Sequence, residues 1–340
     1  MPVSIVVGGQ YGSEGKGKVA HYLADKMDAS FAVRCGGPNS GHTVIDEQGK
    51  ARIFQQLPTA AILPKVKLAI CAGSYVDLDI LHREIKETNI DTDRLFIAPD
   101  AVIITPELKE RETNTDLIER IGSTGSGTGA AVAARINREE TLLFARDIPW
   151  LKSFISTVPT TLRSALSHKE RIIIEGTQGF ALSPLHAKHY PYVTSRDTTA
   201  AAFLSETGLS PLDVDDVVLT IRAFPIRVAG NSGPLPDEIN WEILSNERKH
   251  QRLIQEKTSV TKRLRRVAHF NSKIVKNAII TNNPSRIVLN HVDYLHGTLD
   301  TAKLLARDFV CNIEKELNRD INLLGFGPES KMHNNNKSLP

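Results

Sequence analysis

From Val3 to Gly8 the chain is a run of small and apolar residues that breaks into Gly9-Gln10-Tyr11-Gly12-Ser13-Glu14-Gly15, where glycines are interspersed with polar positions. Such a run predicts a strand buried on both faces over about residues 3 to 8. Gly17 to Leu23 then reads as the start of a helix whose first-turn N–H groups face the glycine loop, an arrangement suited to an anion. The same succession returns further on. Asp28 to Cys35 leads back into the sheet and is followed by Gly36-Gly37-Pro38-Asn39-Ser40-Gly41-His42-Thr43, a loop by composition that places His42 beside the first loop. Val66 to Ala72 is another apolar run, Asp77 to Glu87 has helical spacing, and Arg94 to Ile104 has strand character. Glu107 to Ala131 is polar and then glycine-rich, and the pattern assigns no element there.

Residues 132 to 169 predict two helices, around Pro149 and Pro159, before Arg171 to Glu175, a short strand ending in Gly176-Thr177-Gln178-Gly179. Val217 to Val228 opens with another apolar run, and Asn231-Ser232-Gly233-Pro234-Leu235-Pro236 is a turn. After the basic stretch Lys257 to Arg266 come a core strand at Ile287 to Leu289 and a helix or helix pair over Thr298 to Asn318. A late strand at Ile321 to Leu324 leads into Gly325-Phe326-Gly327-Pro328. Glycine-rich loops after strands predict an α/β fold with a central, mainly parallel sheet. No internal repeat or linker divides the chain. Residues 1–330 are therefore read as one catalytic domain with loop insertions, and 331–340, with its Asn334-Asn335-Asn336 run, as a flexible tail.

Composition narrows the functional classes. A chain of 340 residues, 41% hydrophobic, can bury a sizeable core. The net charge of +3, from 42 basic and 39 acidic residues, is too balanced for a nucleic-acid surface, although local basic clusters suit phosphorylated small molecules. Cys35, Cys71 and Cys311 have neither zinc-like spacing nor the even number of a disulfide framework, which points to a reducing compartment. No stretch approaches 18 uninterrupted apolar residues and the first residues do not read as a leader, so a cytoplasmic protein without membrane contact is expected.

Taken alone, Gly12 to Lys18 is either a tight strand-to-helix turn or a phosphate cradle, and it lacks the Lys followed by Ser or Thr of a Walker A motif. Motifs further along the chain decide between the two. Asn39 to Thr43, Gly122-Ser123-Thr124-Gly125-Ser126-Gly127-Thr128-Gly129, Glu175 to Gly179, Tyr190-Pro191-Tyr192-Val193-Thr194-Ser195 and the basic segment ending Arg265-Arg266 succeed one another. In this order they resemble the adenylosuccinate synthetase family over nearly the whole sequence. The resemblance implies that family's fold, with a P-loop-NTPase-like core and ligand-binding loops. It also implies a carbon–nitrogen ligase that uses a nucleoside triphosphate and Mg²⁺ to phosphorylate a purine 6-oxygen, after which the amine of L-aspartate displaces the phosphate.

One position departs from the pattern. Where the family has the aspartate that removes the N1 proton and helps hold Mg²⁺, this chain has Ser13, and a hydroxyl is a far weaker base than a carboxylate. The smaller neutral side chain leaves space beside N1 and C2, which fits a guanine and its 2-amino group. In this the chain is similar to the phage branch of the family, which joins L-aspartate to dGMP to form N6-succino-2-amino-2′-deoxyadenylate on the way to 2-aminoadenine in phage DNA. That branch would place the protein in the host cytoplasm.

The resemblance implies roles residue by residue. Ser13, Lys16, His42 and Gln178 form the catalytic group, with His42 acting at the 6-oxygen, Lys16 stabilising charge on the transferred phosphoryl group and Gln178 bonding to the purine edge. Gly12, Glu14, Gly15, Gly17, Lys18 and Thr43 surround the donor phosphates, and Asn290, Asp293, Gly327 and Pro328 hold the donor base. In that last segment the family's lysine is His291, which turns the expected donor from GTP to ATP or dATP, with ATP taken as the donor. Ser13 and the Gly41 carbonyl meet Mg²⁺. Asn39, Thr124, Leu182 and Thr194 bind the acceptor nucleotide, and Arg138 reaches the nucleotide of the neighbouring subunit in a homodimer. Thr261, Arg263 and Arg265 hold the aspartate carboxylates, and Arg227 joins that side or the ribose, since guanidinium forks supply paired bonds.

Without the resemblance, His42 reads equally as a loop hydrogen-bonding residue, Arg135, Arg138 and Glu139 as a solvated helix face, and Thr258 to Arg266 as a basic surface. No aromatic series interleaves those arginines, which argues against a nucleic-acid strand. Two other functions stay open at this level: conversion of IMP with GTP, and a nucleotide-binding homologue without catalysis.

Overall fold

A computed structural model describes residues 2–258, 262–329 and 332–335. Val3–Gly8 is buried along its whole length because it lies near the middle of a nine-stranded sheet. Across that sheet the strands run in the order Met332–Asn334, Leu323–Gly325, Arg286–Asn290, Val214–Arg222, Val3–Gly8, Ile172–Glu175, Phe31–Arg34, Lys67–Ile70, Leu95–Ile97. All neighbours pair in parallel except the first two, which are antiparallel.

Successive side chains feed opposite cores. Ile5, Val7, Ile172, Ile174, Leu219, Ile221, Ile287 and Leu289 belong to one apolar cluster, and Val6, Ile173, Val218 and Val288 to the other. Helices cover both faces. Lys16–Lys26 contributes Val19, Ala20, Leu23 and Ala24 to the second cluster, while Val158–Ser167, Ala200–Thr207, Ser272–Asn282 and Leu299–Leu317 supply the first. Two-sided burial explains why these strands read as apolar runs without alternation.

The structure departs from the sequence pattern in several places. Glu107 to Ala131 contains Pro106–Thr113, Leu117–Ile121 and the start of Thr128–Asn137. The first buries only Leu108 and Glu112 and the second buries nothing, so no apolar stripe announces them. Around Pro149 the chain forms a 3₁₀ segment, Pro149–Phe154, whereas Pro159 sits in the first turn of an α-helix. Thr298 to Asn318 is one helix of 19 residues, Leu299–Leu317, and not a pair. His42 opens a strand, His42–Ile45, that pairs with Ala51–Phe54. Within the segment expected to be a flexible tail, Met332–Asn334 is the antiparallel edge strand, and the Asn335 N–H donates to Asn322 O at 3.1 Å. A separate small sheet of Ile226–Arg227, Arg266–Ala268 and Glu238–Ile239 stands beyond the end of Val214–Arg222 and carries Arg227 and Arg266 side by side. Among the described residues no helix is long and apolar enough to cross a membrane.

Candidate active site

The carboxyl ends of the parallel strands open into a cleft of about 840 Å³, where loops from many parts of the chain converge. In open α/β sheets this edge is where ligands bind. The first loop turns sharply, with Gly12, Ser13 and Gly15 at φ of 91°, 58° and 86°. Lys16–Lys26 therefore begins with no side-chain cap and no acidic residue in its first turn, leaving its N-terminal N–H groups for an anion. Glu14 turns inward. Its Oε1 accepts the N–H of Gln10 at 3.0 Å and of Gly12 at 2.9 Å, and its Oε2 pairs with Lys16 Nζ at 2.6 Å, both side chains being buried. Glu14 braces the loop and does not line the cleft, whereas Lys16 does. Gly17 lets the helix approach the next wall, since a Cβ there would stand 2.7 Å from His42 Cβ and Thr59 Cγ2.

His42 lines the cleft against a buried charge cluster. Its Nδ1 lies 2.5 Å from Glu175 Oε1, which also accepts Arg34 Nη1 at 2.8 Å. Glu175 Oε2 accepts the Thr59 N–H at 2.8 Å and its hydroxyl at 2.7 Å. Burial alone would push the Glu175 carboxyl up, but His42, Arg34 and Thr59 overcome it and hold it down at about 2. Burial and the Arg34 guanidinium push His42 down to about 4, against the pull of Glu175. At pH 7 the ring is therefore neutral. Its Nδ1–H is spent on Glu175, which leaves Nε2 as the nitrogen for a ligand.

The facing wall holds the glycine-rich acceptor loop. Glu112 fixes it, its Oε1 accepting Ser123 Oγ–H at 2.7 Å and its Oε2 the Gly129 N–H at 2.9 Å. Thr124 stands exposed in the cleft, alongside Thr194, whose N–H donates to Leu182 O at 2.8 Å. Arg227 is buried, donating from Nη1 to Pro234 O at 2.9 Å and from Nη2 to Tyr192 O at 2.8 Å, with its guanidinium 4.8 Å from the Tyr11 ring centre. Burial lowers it to about 10. Arg263 is exposed and Arg265 half-buried, both on the cleft wall. At the far end Lys18 Nζ donates to Gly327 O at 2.7 Å, and the Gly327 N–H donates to Asp293 Oδ1 at 2.9 Å, so one glycine is clamped from both sides.

Most of the residues singled out from sequence share this one cleft: Gly12, Ser13, Gly15, Lys16, Gly17, Lys18, Asn39, Gly41, His42, Thr43, Thr124, Gln178, Leu182, Thr194, Arg227, Arg263, Arg265, Gly327 and Pro328. Others do not line it. Glu14 is a brace, and Asn290 is fully buried with its Nδ2 on Glu14 O at 2.8 Å. The one Asp293 oxygen with a described bond holds Gly327. Arg138 is exposed at the end of Thr128–Asn137. Thr261 lies outside the described residues. Sequence reasoning assigned no role to Glu175, Arg34, Glu112, Arg222 or Glu256. Only Glu175 stood in a quoted motif, and its charge beside a loop histidine was the available signal.

The family model for adenylosuccinate synthetase matches residues 5–145 and 140–305. Adenylosuccinate synthetases of Methanococcus aeolicus and Methanocaldococcus jannaschii are 38% and 37% identical to it, covering 97% and 96% of this chain and 98% and 94% of their own. The chain belongs to the adenylosuccinate synthetase family. It is therefore a carbon–nitrogen ligase of purine nucleotide synthesis, in a family that uses a nucleoside triphosphate and Mg²⁺ to join aspartate to a nucleoside monophosphate. The fold is also similar to that of the cyanophage S-2L succinoaminodeoxyadenylate synthetase (PurZ), solved with dGMP and with dATP as energy donor. That likeness has a TM-score of 0.82 and 31% identity over 98% of this chain and 95% of the phage enzyme, and it supports the resemblance to the phage branch. The Plasmodium falciparum adenylosuccinate synthetase shares the fold, with a TM-score of 0.86 at 20% identity over 99% of this chain and all of that one.

Proposed function

We propose that this adenylosuccinate synthetase family member joins L-aspartate to dGMP at the expense of ATP, forming N6-succino-2-amino-2′-deoxyadenylate, ADP and phosphate. The observation that carries the reading is Ser13. It occupies the first loop at φ 58° with its side chain in the cleft, where the family has a carboxylate. The cleft-lining acids that remain, Glu112 and Glu256, are bound to their own partners. A neutral, short residue at that point accepts a purine with a 2-amino group without presenting a second acceptor beside N1.

In this reading the helix N-terminus and Lys16 take the donor phosphates, and Thr124, Asn39 and Thr194 take the acceptor phosphate. Arg263, Arg265 and the segment with Thr261 hold the aspartate carboxylates, and Gln178 and Leu182 meet the base. His42 offers Nε2 to the 6-oxygen region, and the anionic phosphates of a bound nucleotide offset Arg34 and draw a proton onto the ring. Among the described residues no cluster of three His, Cys, Asp or Glu is gathered for a metal. The Ser13 hydroxyl and Gly41 carbonyl are neutral oxygens, a donor set that fits Mg²⁺ carried in on phosphate oxygens, where the ion would neutralise phosphate charge. Arg138, outside the cleft of its own chain, is assigned to the site of a second copy in a homodimer. One catalytic domain, cytoplasmic and acting in a phage-infected host, completes the reading.

Product mass and phosphate release with L-aspartate and Mg²⁺, run with dGMP or IMP and with ATP or GTP, test it. A succinylated dGMP product is expected with ATP. Product from IMP and GTP alone overturns the substrate assignment, and nucleotide binding without any product overturns catalysis.

A further inference from the structure

Three parts of the cleft meet at one carboxylate. Glu256 pairs with both terminal nitrogens of Arg222, Nη1 at 3.3 Å, and its Oε2 lies 3.4 Å from Arg265 Nη1. Its backbone carbonyl accepts the Arg265 N–H at 2.8 Å. Arg222 is fully buried at the end of the strand Val214–Arg222. From there its Nη1 donates to the Ser13 carbonyl at 3.0 Å, and its backbone exchanges bonds of 2.9 and 3.2 Å with the Gln10 side chain. The Tyr294 ring lies 5.9 Å from the Arg222 guanidinium, and Tyr294 and His291 both stand near Glu256.

Burial would raise the Glu256 carboxyl, but Arg222, His291 and Arg265 outweigh it and hold it near 2, so the group is an anion shared between two guanidiniums. A ligand carboxylate arriving at Arg265 competes for one of them. As Arg265 turns to the ligand, Glu256 is left to Arg222, the same fork that holds the Ser13 carbonyl. A packed, charged path thus runs from the Arg265 wall to the first loop without passing through the ligand.

We infer that Glu256 is a positioning residue that, through Arg222, couples dicarboxylate binding at Arg265 to purine nucleotide binding at the Ser13 loop. The inference rests on the proposed roles of Ser13 and Arg265. A purely structural ion pair would change stability and leave the two affinities independent. Coupling makes them reciprocal.

The test is calorimetric titration of the full chain with dGMP and, separately, IMP, with and without saturating succinate, a dicarboxylate that lacks the reacting amine. Succinate is expected to tighten the monophosphate about tenfold in the unaltered protein and by less than about twofold in Glu256→Gln. Nucleotide affinity without succinate should stay within about threefold between the two, as expected when only the coupling is removed. Arg222→Lys, which keeps the charge and loses the fork, should lose the coupling as well and decides the matter if Glu256→Gln does not fold. A succinate effect that persists undiminished in the variants, or that is absent from the unaltered protein, overturns the inference. Binding of IMP in place of dGMP overturns the proposed acceptor while leaving the Glu256 test intact with IMP.

Discussion

Replacing Glu175 by glutamine keeps the side-chain shape and removes the charge on which bonds from Arg34, His42 and both donors of Thr59 converge. An amide offers one acceptor oxygen, so its nitrogen must confront either the Arg34 and His42 pair or the Thr59 donors. In both cases Arg34, with a side chain only 2% exposed, becomes a buried cation without its anion. Removing one partner of such a pair costs about 3–5 kcal/mol. The drop of the Glu175 carboxyl from 4.5 to about 2 leads independently to a figure on the order of 3 kcal/mol. Its sign is set by the folded value lying below the unfolded one: the stabilisation is complete above about 4.5 and is lost as pH falls towards 2. Urea unfolding at pH 7 should therefore show the variant about 3–5 kcal/mol less stable, with the gap narrowing steadily below pH 4.5. Glu175 is not on the cleft wall, so KM should move little, while kcat falls about 10²–10⁴-fold as His42 loses the anchor of its Nδ1. A variant within about 1 kcal/mol of the parent, with kcat unchanged, would refute both the buried-pair argument and the placement of His42.

Other substitutions probe separate parts of the site. Ser13→Asp should shift the ratio of kcat/KM for dGMP over IMP towards IMP by at least about tenfold, on the order of 1.4 kcal/mol, and an unchanged ratio sinks the specificity argument. Lys18→Met removes an ammonium that burial lowers to about 8 despite Asp293 and Glu329. The unfolded chain holds that proton up to its ordinary 10.5, so stability of the parent should rise relative to Lys18→Met between pH 8 and 10.5, seen in denaturant midpoints across that range. The same variant should raise the donor KM several-fold, since Gly327 loses one side of its clamp. Gly325→Ala sets a Cβ 1.9 Å from Asn290 Oδ1 and should cost about 1–3 kcal/mol, measured by thermal unfolding, and raise the donor KM; a neutral result would mean that the Asn290 amide yields freely.

Much of this protein was determined locally. The apolar runs at Val3–Gly8, Ile172–Glu175 and Arg286–Asn290 read as buried strands because each is covered on both faces, and period and composition report that without reference to any neighbour. The glycine-rich loops after the first two also announced a shared site, since only small residues tolerate the turns and close approaches found at Gly12, Gly15 and Gly17. The helices Pro106–Thr113 and Leu117–Ile121 escaped notice because they bury almost nothing, and a helix without an apolar stripe leaves no period to read. The family, and with it the expectation placed on Ser13, was legible from motif order alone.

Tertiary structure decided which charges meet. Arg34 and Glu175 are 141 residues apart, and Arg222 lies 209 residues from the Ser13 carbonyl it holds. Nothing in the local pattern marks any of them as paired. Glu14, placed by the motif among the donor phosphates, is turned instead to Lys16 and the loop N–H groups, and Lys18 and Asp293 meet at Gly327, more than thirty residues from Asp293 and some three hundred from Lys18. A charged side chain in a linear sequence carries its formal charge but not its surroundings. The protonation of His42 and the ionisation of Glu175 and Glu256 are set by desolvation and by partners a few ångströms away, and those distances exist only once the sheet has brought the loops together.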